Sequence, residues 1–320
     1  MGSNPREMRR QVWIGLGSQA VIEQPRARVR RLTVAPRGHP AVTALVGRPK
    51  NPRGVTIHFP GFHIAMGPWE AAKCALLAAI TGTTVIMCEL PGFSRYGHHL
   101  SPRVRRDLYD GDPSSWAQAA LAGMVAAGEA AGVEAPDQLD VMAYSTGCSL
   151  AVAALPTVQA AFPVRRLTLI EPVSVTSRTL GWLTLQFTWD LIRILNTVPR
   201  NLPSSWIRQA GLREFREPRV HYSPADLLAL ISMLSGDDTG VRLGNLALPA
   251  TNLARGAKSK LCPAPSFAAV DAGLAARGVP GTTMTISGLG HQMWHALPAI
   301  DAIARTLAED HGNEGTSTLQ

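Results

Sequence analysis

The chain has 320 residues, of which 46% are hydrophobic and 17% charged, and its formal net charge is +8. This length and apolar content suffice for one large core, or for a core with a smaller inserted domain, and they exclude a largely disordered chain. The first 31 residues lack the continuous apolar segment of an export signal, and no run of about 20 apolar residues predicts a membrane span. We therefore expect a cytoplasmic protein with no stable membrane insertion.

The positive charge is concentrated near the N-terminus, and residues 1–26 are interpreted as a basic N-terminal arm. Such a cluster suits nucleic acid or anionic lipid, but the interleaved aromatic residues of a nucleic-acid site are missing. We therefore favour a solvated face and no nucleic-acid partner. The cysteines lie in apolar contexts without a CxxC pair, which favours buried free thiols over a metal site or disulfides. They are Cys74, Cys88, Cys148 and Cys262.

Strand and helix patterns alternate along the chain. Alternating polar and apolar residues over 27–34 and 41–47 predict two strands at an exposed sheet edge. Later segments are short, apolar and rich in β-branched residues, as in the central strands of a parallel sheet covered on both faces. These segments are 54–59, 83–90, 139–145, 166–172 and 282–288, and the alanine-rich helices between them are 68–80, 114–132 and 146–159. The alternation predicts an α/β fold with a mostly parallel, doubly wound sheet.

The alternation stops after Pro172 and resumes near Leu246. Between these points apolar residues recur at helical spacing, and Ser223 followed by Pro224 is typical of a helix start. An inserted helical subdomain is the simplest account. We thus divide the chain into a core over 27–173 and 246–310, a helical cap over 174–245, and a flexible tail over 311–320.

The apolar strand predicted to end at residue 145 stops abruptly at Ser145, directly before a predicted helix. A serine on so tight a turn projects its hydroxyl above the sheet, and the N–H of Thr146 lies at the helix N-terminus, where negative charge is favoured. The turn has room only for small residues two positions to either side, and these are Ala143 and Gly147. The pattern predicts a nucleophilic serine with a backbone donor beside it.

The motif A-Y-S-T-G, placed between strand and helix, resembles the nucleophile turn G-x-S-x-G of the α/β-hydrolase superfamily, from which it departs by one methyl group. The resemblance covers residues 27 to 308. It implies the α/β-hydrolase fold with an inserted helical cap, and a serine hydrolase that needs neither a metal nor an organic cofactor. An acyl-enzyme route is implied as well, because the dehalogenases and epoxide hydrolases of this fold carry aspartate where this chain has Ser145.

Two further segments carry the resemblance. HFPGF (58–62) matches the loop that supplies the second oxyanion donor, so the backbone N–H of Phe62 is the implied donor, although Pro60 replaces the usual histidine. On turn chemistry alone, the same residues also fit an ordinary turn. ELPGFSRYG (89–97) resembles the loop after the fourth strand of the family, where the residue at the position of Glu89 has a structural role.

The resemblance places the catalytic histidine in a loop after the last strand. ISGLGHQMWH (286–295) has the glycine-rich approach, and His291 is favoured there over His295, which we assign to a helix or rim. The family usually has its acid after the seventh strand, but Ser259 occupies that position in this chain. No carboxylate lies between Asp238 and Asp271, so this loop lacks an acid.

Glu171, which ends the strand RLTLIE, is the alternative acid. Some family members with helical lids, among them certain lactonases and dehalogenases, keep their acid at this point. A carboxylate ending a buried strand is costly unless it is paired, so we expect a partner for it. Structural alternatives are that Glu171 caps the first lid segment or pairs with Arg165 or Arg166. We hypothesise a catalytic triad of Ser145, His291 and Glu171.

The cap is rich in apolar residues, and a lid of this kind generally shelters an apolar pocket. We therefore predict a small hydrophobic ester, lactone or thioester as the substrate. Two alternatives stay open, because the fold does not fix the function: a non-hydrolytic, receptor-like ligand-binding protein, and a biosynthetic acyltransferase or cyclase. The sequence leaves the oligomeric state undetermined. Candidate substrate-binding residues are Tyr144, His63, Trp182 and Trp189.

Overall fold

The structure is a computed structural model and describes residues 9–16, 27–62, 64–93, 98–175, 177–189 and 222–314. Within these ranges, the strands form one nine-stranded sheet in the order β1-β9-β8-β7-β6-β4-β5-β3-β2. The strands are β1 (Arg9–Ile14), β2 (Arg28–Val34), β3 (Val42–Arg48), β4 (Val55–Phe59), β5 (Thr84–Cys88), β6 (Leu139–Tyr144), β7 (Val164–Ile170), β8 (Ala250–Gly256) and β9 (Gly281–Ile286). β3 is antiparallel to both β2 and β5, and the other neighbouring pairs are parallel. The predicted edge hairpin and the mostly parallel sheet are confirmed.

Helices cover both faces of this sheet. Successive residues of one strand belong to two different apolar clusters: Met142 lies in one and Ala143 in the other. Because successive side chains of a strand point to opposite faces, the two clusters are the two layers of a doubly wound fold. The helices are α1 (Pro68–Thr81), α2 (Pro102–Tyr109), α3 (Ser114–Ala130), α4 (Thr146–Ala161), α5 (described over 180–189), α6 (Pro224–Gly236), α7 (Thr239–Asn245), α8 (Ala264–Ala276) and α9 (Leu297–Glu314), with a 3₁₀ helix at His291–His295.

The N-terminal segment differs from the basic arm predicted for residues 1–26. Residues 9–14 are strand β1, which pairs in parallel with β9 at one edge of the sheet. Arg9 is buried, and its guanidinium forms a 2.7 Å ion pair with Asp271. Val12, which points to the opposite face of the strand, packs against the smaller apolar cluster. The sequence predicts a solvated basic face here, because a strand rich in arginine does not show the alternation of a half-buried strand. Arg9 is instead a buried structural cation.

Several other elements were not predicted from the sequence. β8 was not predicted, because polar residues interrupt its apolar pattern. One of them links β8 to β9: Asn252 Oδ1 accepts a 2.7 Å hydrogen bond from the N–H of Thr282. The short helix α2 and the helix α8 were also missed. Helix α9 continues to Glu314, past the start of the predicted tail at residue 311.

The described part of the inserted segment (residues 174–245) is largely helical, and α6 begins as the sequence predicts. Ser223 accepts a 3.0 Å hydrogen bond from the N–H of Asp226, and Pro224 occupies the first turn. The buried carboxylate of Asp226 in turn forms a 2.8 Å ion pair with Arg105 of α2. This pair joins the inserted segment to the core.

We expect Asp226→Asn to lower the free energy of unfolding by about 2 kcal/mol, because it leaves the Arg105 guanidinium without its buried counter-charge. Chemical denaturation followed by circular dichroism measures the change. Asp301→Asn is the matched control: its partner Arg305 has an exposed side chain, and such pairs contribute about 0 to 1 kcal/mol. Equal effects of the two substitutions would contradict an anchoring role for Asp226.

No helix in the described ranges is both long and apolar enough to cross a bilayer.

Candidate active site

Ser145 lies in the turn between β6 and α4, where the sequence predicts it. Its φ of 55° and ψ of −124° are an unusual conformation for a residue other than glycine. Such a conformation costs about 1–3 kcal/mol and persists only where the surroundings hold it. Here the N–H of Ser145 donates to the carbonyl of Ile170 at 2.9 Å, which ties the turn to the end of the neighbouring strand β7.

Close packing explains the small residues on both sides of Ser145. A Cβ atom on Gly147 would collide with the carbonyl oxygens of Phe59 and Pro60. On the other side, Ala143 lies opposite Phe59 in the β4–β6 register. The turn therefore packs directly against the end of β4, and this contact brings the loop after β4 beside the serine.

The structure brings Ser145, His291 and Glu171 into one hydrogen-bonded chain. Ser145 Oγ lies 2.8 Å from His291 Nε2, and His291 Nδ1 lies 2.9 Å from Glu171 Oε2. Because a carboxylate only accepts, the Nδ1 atom carries the proton, and Nε2 is left as an acceptor for the serine hydroxyl. All three residues are buried. This arrangement lets the imidazole remove a proton from the serine.

Glu171 immediately follows β7 and is completely buried. Like Ser145, it has a positive φ, of 53°, and its N–H donates to the carbonyl of Ala254 at 2.7 Å. Its carboxylate accepts hydrogen bonds from the N–H of Gly256 and the hydroxyl of Ser259, as well as from His291. The carboxylate is thus held by the end of β8 and by the imidazole.

The two residues predicted to bind an oxyanion lie on either side of this chain of hydrogen bonds. Thr146 is the first residue of α4, where a backbone N–H has no partner within the helix. Phe62 follows Gly61, on which an added Cβ would lie 3.3 Å from Ser145 Cβ. The loop that follows is held by Glu89, whose carboxylate accepts the N–H of Met66 at 3.3 Å, in keeping with a structural role for this residue.

The structure places Tyr144 in the layer beneath the triad, and its predicted substrate-binding role stays a prediction. Only 2% of its surface is exposed. Its hydroxyl donates a 3.0 Å hydrogen bond to the backbone carbonyl of His291, and its ring stacks on the imidazole with centroids 5.4 Å apart. Tyr144 belongs to the apolar layer beneath the site, because strand alternation turns it to the face opposite Ala143. It supports the histidine.

For the other predicted pocket residues, the structure gives no contact with the triad among the described residues. Trp182 is partly buried against the larger apolar cluster, and the Arg178 guanidinium lies over its ring at 5.2 Å. Trp189 is 54% exposed, so half of its surface faces solvent. His63 lies outside the described residues. The substrate-binding roles of these residues stay predictions.

Three buried titratable side chains near the triad, those of His295, Cys148 and Cys262, are held uncharged at neutral pH. Burial first, and then the charges of Lys73 and His291, lower the pKa of His295 well below its ordinary value. Burial raises the pKa of the Cys148 and Cys262 thiols, and the charge of Glu171 raises it further. The negative charge of Glu171 therefore acts on His291 without a competing ionised neighbour among these groups. Elsewhere in the described ranges, no cluster of three or more His, Cys, Asp or Glu side chains is arranged to hold a metal ion.

Sequence reasoning missed the role of Gly256 and Ser259. The resemblance expects an acid in this loop, and the sequence has Ser259 there, which gives the loop no predicted role. No local signal in the sequence joins this loop to Glu171, because Ser259 lies 88 residues further along the chain.

No protein-family model matches the sequence, and no curated protein sequence does. Solved structures do match. A thioesterase domain from the curacin biosynthetic pathway has a TM-score of 0.55 at 16% identity, covering 87% of this chain and 99% of that chain. Carboxyl esterase 2 from the mycorrhizal fungus Tuber melanosporum has a TM-score of 0.50 at 17% identity, covering 94% and 90% of the two chains. With the sheet order described above, these matches show that the chain has the α/β-hydrolase fold.

Proposed function

We propose that this protein is a serine hydrolase that cleaves a small hydrophobic ester, lactone or thioester through an acyl-enzyme intermediate. The observation that carries the proposal is the hydrogen-bonded chain from Ser145 through His291 to Glu171. It joins a nucleophile, a base and an orienting carboxylate in the order that acyl transfer requires. The likeness to an esterase and to a thioesterase domain agrees with this chemistry.

In the acylation half-reaction, Ser145 Oγ attacks the substrate carbonyl carbon while its proton passes to His291 Nε2. The Glu171 carboxylate stabilises the resulting imidazolium and keeps Nδ1 protonated. As the tetrahedral intermediate collapses, the bond to the leaving group breaks and His291 returns the proton to that group. Water then repeats the sequence on the acyl-enzyme, which releases the acid and restores the serine hydroxyl.

The negative oxygen of each tetrahedral intermediate needs donors that are already oriented. The backbone N–H groups of Thr146 and Phe62 would supply them, and the positive end of the α4 dipole adds to the stabilisation. Removing one such donor in other acyl-transfer enzymes costs about 100- to 1,000-fold in kcat.

An apolar substrate is supported by the aromatic side chains around the oxyanion loop. The Phe62 ring lies edge-to-face with Phe93 at 5.9 Å and with Phe187 of α5 at 5.6 Å. The inserted segment thus contributes an aromatic side chain that packs on Phe62 of the oxyanion loop. Aromatic side chains at this position favour substrates with a hydrophobic acyl or alcohol group.

The test is labelling of the purified protein with a fluorophosphonate, followed by intact mass and by peptide mapping, together with hydrolysis assays on p-nitrophenyl esters of increasing chain length. We expect one label per chain, located on Ser145, and faster turnover of the more hydrophobic esters. A folded protein that stays unlabelled and leaves every ester intact would contradict the proposal and favour the receptor-like alternative.

A further inference from the structure

Ser259 lies in the loop after β8, at the position where the resemblance expects an acid. Its hydroxyl donates to Glu171 Oε2, the same oxygen that accepts from His291 Nδ1. The Ser259 oxygen in turn accepts a 3.1 Å hydrogen bond from the N–H of Cys262. Because this bond fixes the direction of the oxygen lone pairs, the hydroxyl proton is aimed at the carboxylate.

We propose that Ser259 is a positioning residue of the active site, whose hydroxyl holds the Glu171 carboxylate against His291 Nδ1. The inference rests on the proposed serine hydrolase function. Ser259, at the position where the family usually has its acid, thus donates a hydrogen bond to the acid Glu171.

One β-turn holds both oxygens of the carboxylate. The N–H of Ser259 donates to the carbonyl of Gly256 at 3.0 Å, so residues 256–259 form a hydrogen-bonded turn. Gly256 at the first position gives its N–H to Oε1, and Ser259 at the last gives its hydroxyl to Oε2. A buried carboxylate gains most from donors that are held in advance, because its charge has lost its hydration.

The same turn is bonded to the segment that carries His291. The N–H of Ala257 donates to the carbonyl of Ile286 at 2.8 Å, and that of Lys258 donates to the carbonyl of Leu289 at 2.7 Å. A Cβ on Gly256 would lie 2.6 Å from the carbonyl oxygen of Gly290. The turn therefore fixes the acid and the histidine relative to one another.

Several other charged or titratable groups lie near the Glu171 carboxylate. The thiols of Cys148 and Cys262 face it and stay protonated. The Arg255 guanidinium on β8 donates to the carbonyl of Cys262 at 3.1 Å, and the ring of His295 packs against Tyr144 with centroids 5.8 Å apart. Lys73 forms a 2.8 Å ion pair with Glu70, and burial lowers the pKa of its ammonium group. Because Cys148, Cys262 and His295 stay uncharged near neutral pH, a shift in the pH dependence of labelling would not come from their titration.

The test compares Ser259→Ala and Ser259→Thr by their rate constants for fluorophosphonate labelling across pH, with thermal melts beside them. A hydrogen bond to a charged group predicts a loss of about 10- to 100-fold for alanine, whereas threonine keeps the hydroxyl and most of the rate. In the alanine variant the carboxylate has lost a competing donor and therefore holds the protonated imidazole more strongly. The acidic limb of the plot of labelling rate against pH should then shift to higher pH. Ser149→Ala removes another buried hydroxyl, bonded to Thr239 at 3.2 Å, and should change neither the rate nor the limb.

A second measurement separates positioning from a structural role. If Ser259 acts through Glu171, Ser259→Ala should slow labelling little further in a Glu171→Gln background. An alanine variant that labels like the wild type would overturn the inference, and so would a loss that is fully additive with Glu171→Gln and leaves the limb unmoved. A wild type that does not label at all would contradict the proposed function itself.

Discussion

Ser145→Ala should lower kcat/KM for ester hydrolysis by at least about 10,000-fold and abolish fluorophosphonate labelling. The substitution removes the only oxygen that lies within bonding distance of His291 Nε2 in the described hydrogen-bond network. The remaining residues still bind substrate and polarise its carbonyl, so a small residual rate over water is expected. Steady-state assays with a p-nitrophenyl ester measure the loss of kcat/KM.

The folded state should survive this substitution. Ser145 makes one side-chain hydrogen bond in the described structure, and its backbone bond to Ile170 does not depend on the hydroxyl. We expect the free energy of unfolding to change by less than about 1 kcal/mol. Ser149→Ala again serves as the control for loss of a buried hydroxyl on the same turn-and-helix unit. Turnover retained at the wild-type level would refute the nucleophile assignment.

Glu171→Gln should lower kcat/KM by about 1,000- to 10,000-fold while the protein stays folded. The amide keeps the size of the carboxylate but presents an NH₂ group as well as an oxygen. When that NH₂ faces His291, it stabilises the tautomer with the proton on Nε2, and this atom no longer accepts the serine proton. Even in the productive orientation, a neutral amide stabilises the imidazolium less than a carboxylate does.

Labelling rates and single-turnover ester cleavage measure the effect of Glu171→Gln. Glu129→Gln is the matched control, because it makes the same chemical change at an exposed position of α3. A labelling rate within threefold of the wild type would show that Glu171 is not the orienting acid.

The fold class and Ser145 could be predicted from local patterns, whereas His291 and Glu171 needed the resemblance to the α/β-hydrolase superfamily as well. A buried strand, a serine and a helix are consecutive, and the spacing of Ala143 and Gly147 around Ser145 reflects packing that the structure shows directly. His291 and Glu171 each end or follow a predicted strand on the carboxyl edge of the same parallel sheet. Their assignment to the triad came from the resemblance, which places the histidine after the last strand and, in some members, the acid at the end of the strand that Glu171 ends here.

The supporting contacts could not be predicted in this way. Ser259 and Glu171 are 88 residues apart, and nothing in either local pattern states that a hydroxyl and a carboxylate meet. Tyr144 was assigned to the pocket because it adjoins Ser145, but adjacency along a strand means opposite faces. Arg9 was assigned to a basic face because a formal charge does not reveal a buried partner such as Asp271.

The position of β1 has a consequence for biosynthesis. Arg9 donates to the carbonyl of Val279, 270 residues further along the chain. On the ribosome, this strand therefore emerges long before its partner β9 is synthesised, so β1 can join the sheet only after β9 has formed. Until then β1 presents unpaired backbone groups, and its charged arginines limit premature association with other nascent chains.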